Sequence, residues 1–262
     1  MYKKYRENAD TAVGYSVNPD AGRLKNMMSH GINKTGNTMK LEMHAHTSES
    51  SPCAQISARE VVKAYSRTDY DGIVITDHFD NDLLKDFGST DRQRIERYLL
   101  GYDKAYDTGM ECGFTVILGI EIRLEPYAED FLIYGIDRDF LFAHPNLCFL
   151  SQKELYALCH ENGAALYQAH PFRPPCRPQN PEYLDGMEFN QRHNGENRNE
   201  LLEKWICDYP DLRRISGSDF HTMDNLGFGG IILEQKVKDS VELAEFLKYH
   251  TPRLLIEGKE KA

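Results

Sequence analysis

Nowhere in this sequence do apolar residues run long enough to cross a bilayer. The opening stretch, MYKKYRENADTAVGYSV, also lacks the apolar segment that directs secretion. Both absences lead to the expectation of a cytoplasmic protein with no membrane partner. Positive charge is short: 31 Lys and Arg against 41 Asp and Glu leave a net charge of -10. That balance argues against a broad surface for extended nucleic acid, though a local basic pocket remains open. Cysteine is scarce too. None of the six (Cys53, Cys112, Cys148, Cys159, Cys176 and Cys207) belongs to a CxxC pair, which excludes a zinc ribbon and points to reduced thiols. What remains is an ordinary globular composition, 40% hydrophobic and 27% charged, in 262 residues. Such a length can bury one large α/β core or two small ones.

Residues 1–38 are polar and show no sustained periodicity, so they are expected to form an extension outside the core. Residues 39–262 are expected to form the folded domain. From Lys40 the pattern changes: Leu41, Met43 and Ala45 alternate with Glu42, His44 and His46, the period-2 signature of a strand. Capping boxes at Ser57–Glu60 and Ser151–Glu154 each open a helix, the second ending at Asn162-Gly163. Helical spacing also predicts helices over 90–108, 197–208 and 240–249. Apolar runs predict strands at 72–76, 114–122, 131–134, 164–169, 187–189 and 254–256. Five prolines restrain the loop 171–181. Strands alternating with helices imply a mostly parallel sheet, and six to eight such units imply a closed or nearly closed barrel.

Five of these apolar runs end in metal-binding residue types: His44-Ala45-His46, Thr76-Asp77-His78, Gly119-Ile120-Glu121, Ala169-His170-Pro171 and Ser218-Asp219-Phe220-His221. A βα barrel gathers the C-terminal ends of its strands around one mouth, where such residues can meet. Each cluster alone has a plainer reading. His44 and His46 could be exposed edge residues, Asp77 a helix cap, Glu121 the partner of Arg123, and His170 a hydrogen-bonded core histidine. Together, five junctions of the same chemistry and polarity point to a metal centre. Imidazole and carboxylate with little sulfur suit Zn, Mn or Fe, and eight candidate ligands exceed what one ion needs.

The order HxHT, TDH, GxE, AHPF, SDxH resembles the PHP superfamily, named for polymerase and histidinol phosphatase, over residues 39 to about 256. The resemblance implies a distorted (βα)7 TIM-like barrel whose metal site lies at the C-terminal ends of the strands. It implies two or three divalent ions and hydrolysis of phosphoesters. It assigns His44, His46, Glu121 and Asp219 to one ion, Glu121 and His170 to a second, and His78 and His221 to a third. Two positions depart from the family. Cys53 falls near where the family has a further histidine, and Asp130 stands in for another as an oxygen ligand.

The activity expected from these residues is hydrolysis of a small phosphomonoester, nucleotides among them, by a hydroxide bridging two ions roughly 4 Å apart. Arg123, Arg173 and Arg192 are the expected phosphate contacts, with Arg173 also stabilising charge during transfer. Asp77 is expected to orient His78, and His193 to donate a proton to the leaving group. The alternatives are an amidohydrolase-like C–N hydrolase and a catalytically idle metal-binding module serving a partner protein.

Overall fold

The computed structural model describes residues 37–261. The expected extension, up to residue 36, lies outside the described residues. Twelve strands are found among the described residues: β1 Met39–Ala45, β2 Gly72–Ile75, β3 His78–Phe79, β4 Thr115–Leu118, β5 Ile120–Arg123, β6 Asp130–Tyr134, β7 Ala165–Gln168, β8 Gly186–Asn190, β9 Arg213–Gly217, β10 Gly230–Leu233, β11 Arg253–Ile256 and β12 Lys259–Lys261. They are hydrogen-bonded as two six-stranded sheets, ordered β12-β11-β10-β1-β2-β4 and β3-β5-β6-β7-β8-β9. No described helix is long and apolar enough to cross a membrane.

The fold is thus mixed α/β, but the strands do not form one closed parallel barrel. β1-β2-β4 and β7-β8-β9 are parallel, whereas β6 runs antiparallel to both neighbours and β10 runs antiparallel to β1. The reason for the first reversal is connection length. Residues 124–129 are too few for the crossover that a parallel β5–β6 pair would need. Where the two sheets approach each other, backbone bonds continue. His46 N donates to Phe220 O at 3.0 Å and Phe220 N to His44 O at 3.0 Å. Gly119 N donates to Ile75 O at 2.9 Å, between the β2–β4 and β3–β5 pairs.

The helix caps form as the sequence predicts. Ser57 and Glu60 cap helix Ala58–Tyr65 reciprocally, and Ser151 with Glu154 does the same for Gln152–Glu161. The long helix expected over 90–108 is two helices, Asp91–Tyr98 and Leu100–Cys112. Ser50 explains the break. Its hydroxyl donates to Tyr98 O at 2.6 Å and accepts from Gly101 N at 3.0 Å, so a side chain stands inside the helical ladder. Strand β10 and the helices Asn81–Phe87 and Arg138–Ala143 were not anticipated. The two helices are short and carry little periodicity to read, whereas β10 (GIIL) is an apolar run of the same length as β2 (GIVI) and its signal was legible.

Three apolar clusters form the core, centred on Ile120, Phe131 and Leu166, on Leu41, Met43 and Tyr134, and on Val61, Tyr65 and Phe220. They take side chains from β1, β2, β5, β7, β8 and β9. Gly101 shows how tightly one helix is drawn against the residues that follow β1 and β2. A Cβ there would collide with Thr47 Oγ1 and come within 2.6 Å of Asp77 Oδ2. Alanine is the better helix former by roughly 1 kcal/mol. Gly101→Ala should nevertheless destabilise the fold by about 1–3 kcal/mol, read as a lower urea midpoint at unchanged slope.

Candidate metal centre

The period-2 geometry of β1 puts His44 and His46 on one face, with their Nε2 atoms 3.0 Å apart. Glu121, the second residue of β5 and 1% exposed, meets both: Oε1 lies 3.3 Å from His44 Nε2 and Oε2 lies 3.4 Å from His46 Nε2. Asp219 Oδ1 closes the group at 3.6 Å from His44 Nε2 and 3.3 Å from His46 Nε2. On one side His170 Nε2 approaches Glu121 Oε1 at 2.9 Å. On the other, His78 Nδ1 lies 2.7 Å from Glu121 Oε2, and His46, His78 and His221 present donor atoms within 4.8 Å of one another.

This arrangement fits divalent ions, and the reason lies in its protons. His44 Nδ1 lies 2.8 Å from Glu188 Oε1, a carboxylate that accepts, so the Nδ1–H of His44 points there and Nε2 faces the cluster, where, against burial, Glu188, Glu121 and Asp219 favour a proton that an ion would displace. His46 Nδ1 lies 3.3 Å from Ser51 Oγ, a hydroxyl already donating to Asp77 at 2.6 Å, so Nε2 of His46 faces inward as well. Two imidazole nitrogens 3.0 Å apart beside two carboxylates call for positive charge between them, either a proton from His44 or an ion. Glu121 Oε2 is also buried, with a 2.7 Å charge contact to His78 Nδ1 but no hydrogen bond of good geometry. A carboxylate oxygen so placed is costly unless a cation satisfies it.

The electrostatics agree. Burial disfavours charge on Glu121, yet His44 and His78 hold its carboxyl well below the usual range. Burial likewise opposes ionisation of Asp219, and Arg173, His44 and His221 overcome it. Burial and Arg173 work against a proton on His170, but Cys176 and Glu121 keep it up at about 9. His221 is also held at about 9, burial being outweighed by Asp219 and Cys53. His46 goes the other way, pushed well down by burial and by His221 and His78. Two ligand candidates, His170 (φ 29°) and Asp219 (φ 48°), have left-handed backbones, which non-glycine residues adopt at a cost of order 1–3 kcal/mol.

The other predicted residues fall in several places. Arg173 donates to Asp219 Oδ2 at 2.5 Å, Asn190 Oδ1 at 2.5 Å and Asn197 Oδ1 at 2.9 Å, and Arg192 Nη1 lies 3.6 Å from Asp219 Oδ2. These two arginines therefore converge on the cluster. Arg123 instead pairs with Asp130 through two 2.8 Å bonds, so it is not the partner of Glu121. Asp130 Oδ2 remains 3.8 Å from His170 Nε2. Burial and the charge of Glu121 raise the Asp130 carboxyl despite Arg123.

Asp77 does not orient His78 through a hydrogen bond. Its oxygens accept from Thr47 N at 2.7 Å, Thr47 Oγ1 at 2.7 Å and Ser51 Oγ at 2.6 Å, which ties the loop after β1 to the end of β2. His193 lies outside the cluster, exposed, its ring 5.0 Å from that of Phe228.

Glu188 escaped the sequence reading. Besides fixing His44, its Oε2 accepts from His170 N at 3.1 Å and Asn190 Nδ2 at 2.8 Å. The signal was present: a carboxylate inside the short strand Gly186–Asn190 is as anomalous as Glu121 in its own. Glu42 was missed as well. Fully buried, it accepts from the backbone N–H groups of Met43, His44 and Ser218 and from the hydroxyls of Tyr65 and Ser218. Burial pushes its carboxyl up to about 7 while the Ser218, His44 and Tyr65 bonds restrain the rise.

The family model of the PHP domain matches residues 42–211. No curated protein matches the chain. Among solved structures, the chain is similar to a two-domain protein from Bacteroides vulgatus containing a predicted PHP-like metal-dependent phosphoesterase. That likeness has a TM-score of 0.61 and 19% identity over 85% of this chain and 66% of the other. It is also similar to PsfC from Pseudomonas syringae, with TM-score 0.56 and 16% identity over 84% and 92% of the two chains. A third likeness is to the lesion-specific endonuclease Q of Pyrococcus furiosus, with TM-score 0.55 and 11% identity over 83% and 57%. The chain spans just under two thirds of the first of these and little more than half of the third. At such identities the likenesses bear on the fold alone.

Two outcomes are expected. Because His170 and His221 are held at about 9, both carry protons near neutral pH, and an ion needing their lone pairs must expel them. Zinc titration at about pH 7.5 in weak buffer should therefore acidify the solution, and affinity should strengthen as pH rises toward 9. Glu188→Ala should weaken ion binding by about 10–100-fold by calorimetry, since His44 loses the contact that aims its Nε2.

Proposed function

The chain belongs to the PHP domain family, and on that premise we propose that it is a metal-dependent phosphoesterase that hydrolyses a small phosphomonoester, nucleotides included. The observation that carries this reading is Glu121. One buried carboxylate lies against His44, His46, His78 and His170, with one oxygen otherwise unpartnered, a position suited to sharing between cations. His44, His46, Glu121 and Asp219 would hold one ion, His170 with Glu121 a second, and His78 with His221 a third. Such ions, Mn, Zn or Fe by donor chemistry, would supply Lewis-acid activation of water and of the phosphate.

The chain's own residues do the rest. Glu188 and Ser51 aim His44 and His46. Arg173 and Arg192, both directed at Asp219, offer guanidinium N–H groups to the equatorial oxygens of a phosphate at the cluster. Asp130, neutralised by Arg123, lies at the His170 side as a further oxygen donor. The fold reading that accompanies this is a distorted (βα)7 barrel, with β2–β3 and β4–β5 as interrupted single strands. The bonds between His44, His46 and Phe220 support it.

The test is inorganic phosphate release by the purified protein, loaded with Mn²⁺ or Zn²⁺, across a panel of phosphomonoesters and nucleotides. Release from one compound class, abolished by Glu121→Ala in a folded variant, is the expected outcome. Ion-loaded protein that releases no phosphate but cleaves amides would replace this reading with C–N hydrolysis.

A further inference from the structure

Sulfur reaches the cluster at both ends, and Cys53 makes the nearer approach. Cys53 Sγ lies 3.2 Å from His221 Nε2. The surroundings make this more than a cysteine near a histidine. His46, His78 and His221 form a group whose donor atoms all lie within 4.8 Å of one another. Glu121 Oε2, buried and without a hydrogen-bond partner, stands 2.7 Å from His78 Nδ1 at the same end. The loop bearing Cys53 is also held in place. Gln55 N donates to His221 O at 2.9 Å and Ala54 N to Ser51 O at 2.9 Å, while Ser51 Oγ is anchored on Asp77.

We propose that Cys53 is a thiolate ligand, acting with His78, His221 and Glu121, for an ion at this end of the cluster, and that it selects a thiophilic ion such as zinc over manganese or magnesium. Thiolate sulfur favours borderline-soft cations, whereas Mn and Mg prefer oxygen. The other end of the cluster is built from His170 and Asp130, with Cys176 Sγ 3.9 Å from His170 Nδ1. Cys176 is thus the natural control. The inference rests on the metal-centre reading, and its test separates the two.

The protein, loaded with cobalt(II) as a spectroscopic stand-in for zinc, is examined for sulfur-to-cobalt charge-transfer absorption in the near ultraviolet. The expected result is a band that is lost in Cys53→Ser and retained in Cys176→Ser. Persistence of the band in Cys53→Ser, or its loss only in Cys176→Ser, overturns the assignment. Bound cobalt with ligand-field bands but no charge-transfer band overturns the thiolate and leaves the metal centre standing. Absence of cobalt binding overturns both. A second measurement needs no variant: alkylation of the unmodified protein followed by mass spectrometry. Zinc should protect Cys53 while the exposed Cys112 and Cys207 label equally with and without it. Equal labelling of Cys53 overturns the proposal.

Discussion

A carboxylate removed from water and set among four imidazoles governs this structure. Glu121 can stay ionised only if positive charge faces it, and the histidines around it are arranged to deliver that charge as protons or as ions. A proton shared between His44 Nε2 and His46 Nε2 across 3.0 Å meets part of that need, but one oxygen of Glu121 keeps only a charge contact with His78 and no hydrogen bond of good geometry. Divalent ions would answer both at once, which is why the donor geometry and the electrostatics point the same way.

Keeping that cluster in shape falls to further buried acids, each with a separate task. Glu188 aims His44 and holds the backbone at His170. Asp77 gathers Thr47 and Ser51, so that the loop after β1 is set against β2. Glu42 joins β1 to the turn before Asp219 through five donors. None of these carboxylates faces solvent, and each is matched by hydrogen-bond donors, as burial of polar groups demands. The left-handed backbones of His170 and Asp219 fit the same picture. Strain of that kind persists where neighbouring contacts over-determine it, and both residues are held by Glu188 or by arginine.

Much of the fold was legible from residues 39 to 256. Period-2 alternation marked β1, and two capping boxes located helix starts to the residue. The five clusters of candidate ligands were visible because polar residues interrupt or follow apolar runs there. The failures have physical causes. Apolar spacing continues through Leu99 and implies one helix over 90–108, while the break comes from Ser50, far away in the chain. Two short helices lie below the length at which periodicity can be recognised, while β10 carried an apolar run like that of β2. Glu188 carried the same signal as Glu121, but no neighbouring histidine in sequence drew notice to it.

The sequence by itself determined the chemistry: which residue types stand at the ends of the strands, in what order, and hence the family. Those properties are local, set by side-chain identity and strand or helix period. Only the tertiary structure decided the pairings. It put Arg123 on Asp130, Arg173 on Asp219, Glu188 on His44 and Cys53 on His221, and it arranged the strands as two mixed sheets rather than one parallel ring. Such choices depend on register and on the lengths of connections between distant segments, where a one-residue slip turns a side chain to the opposite face. No local pattern along the chain encodes them.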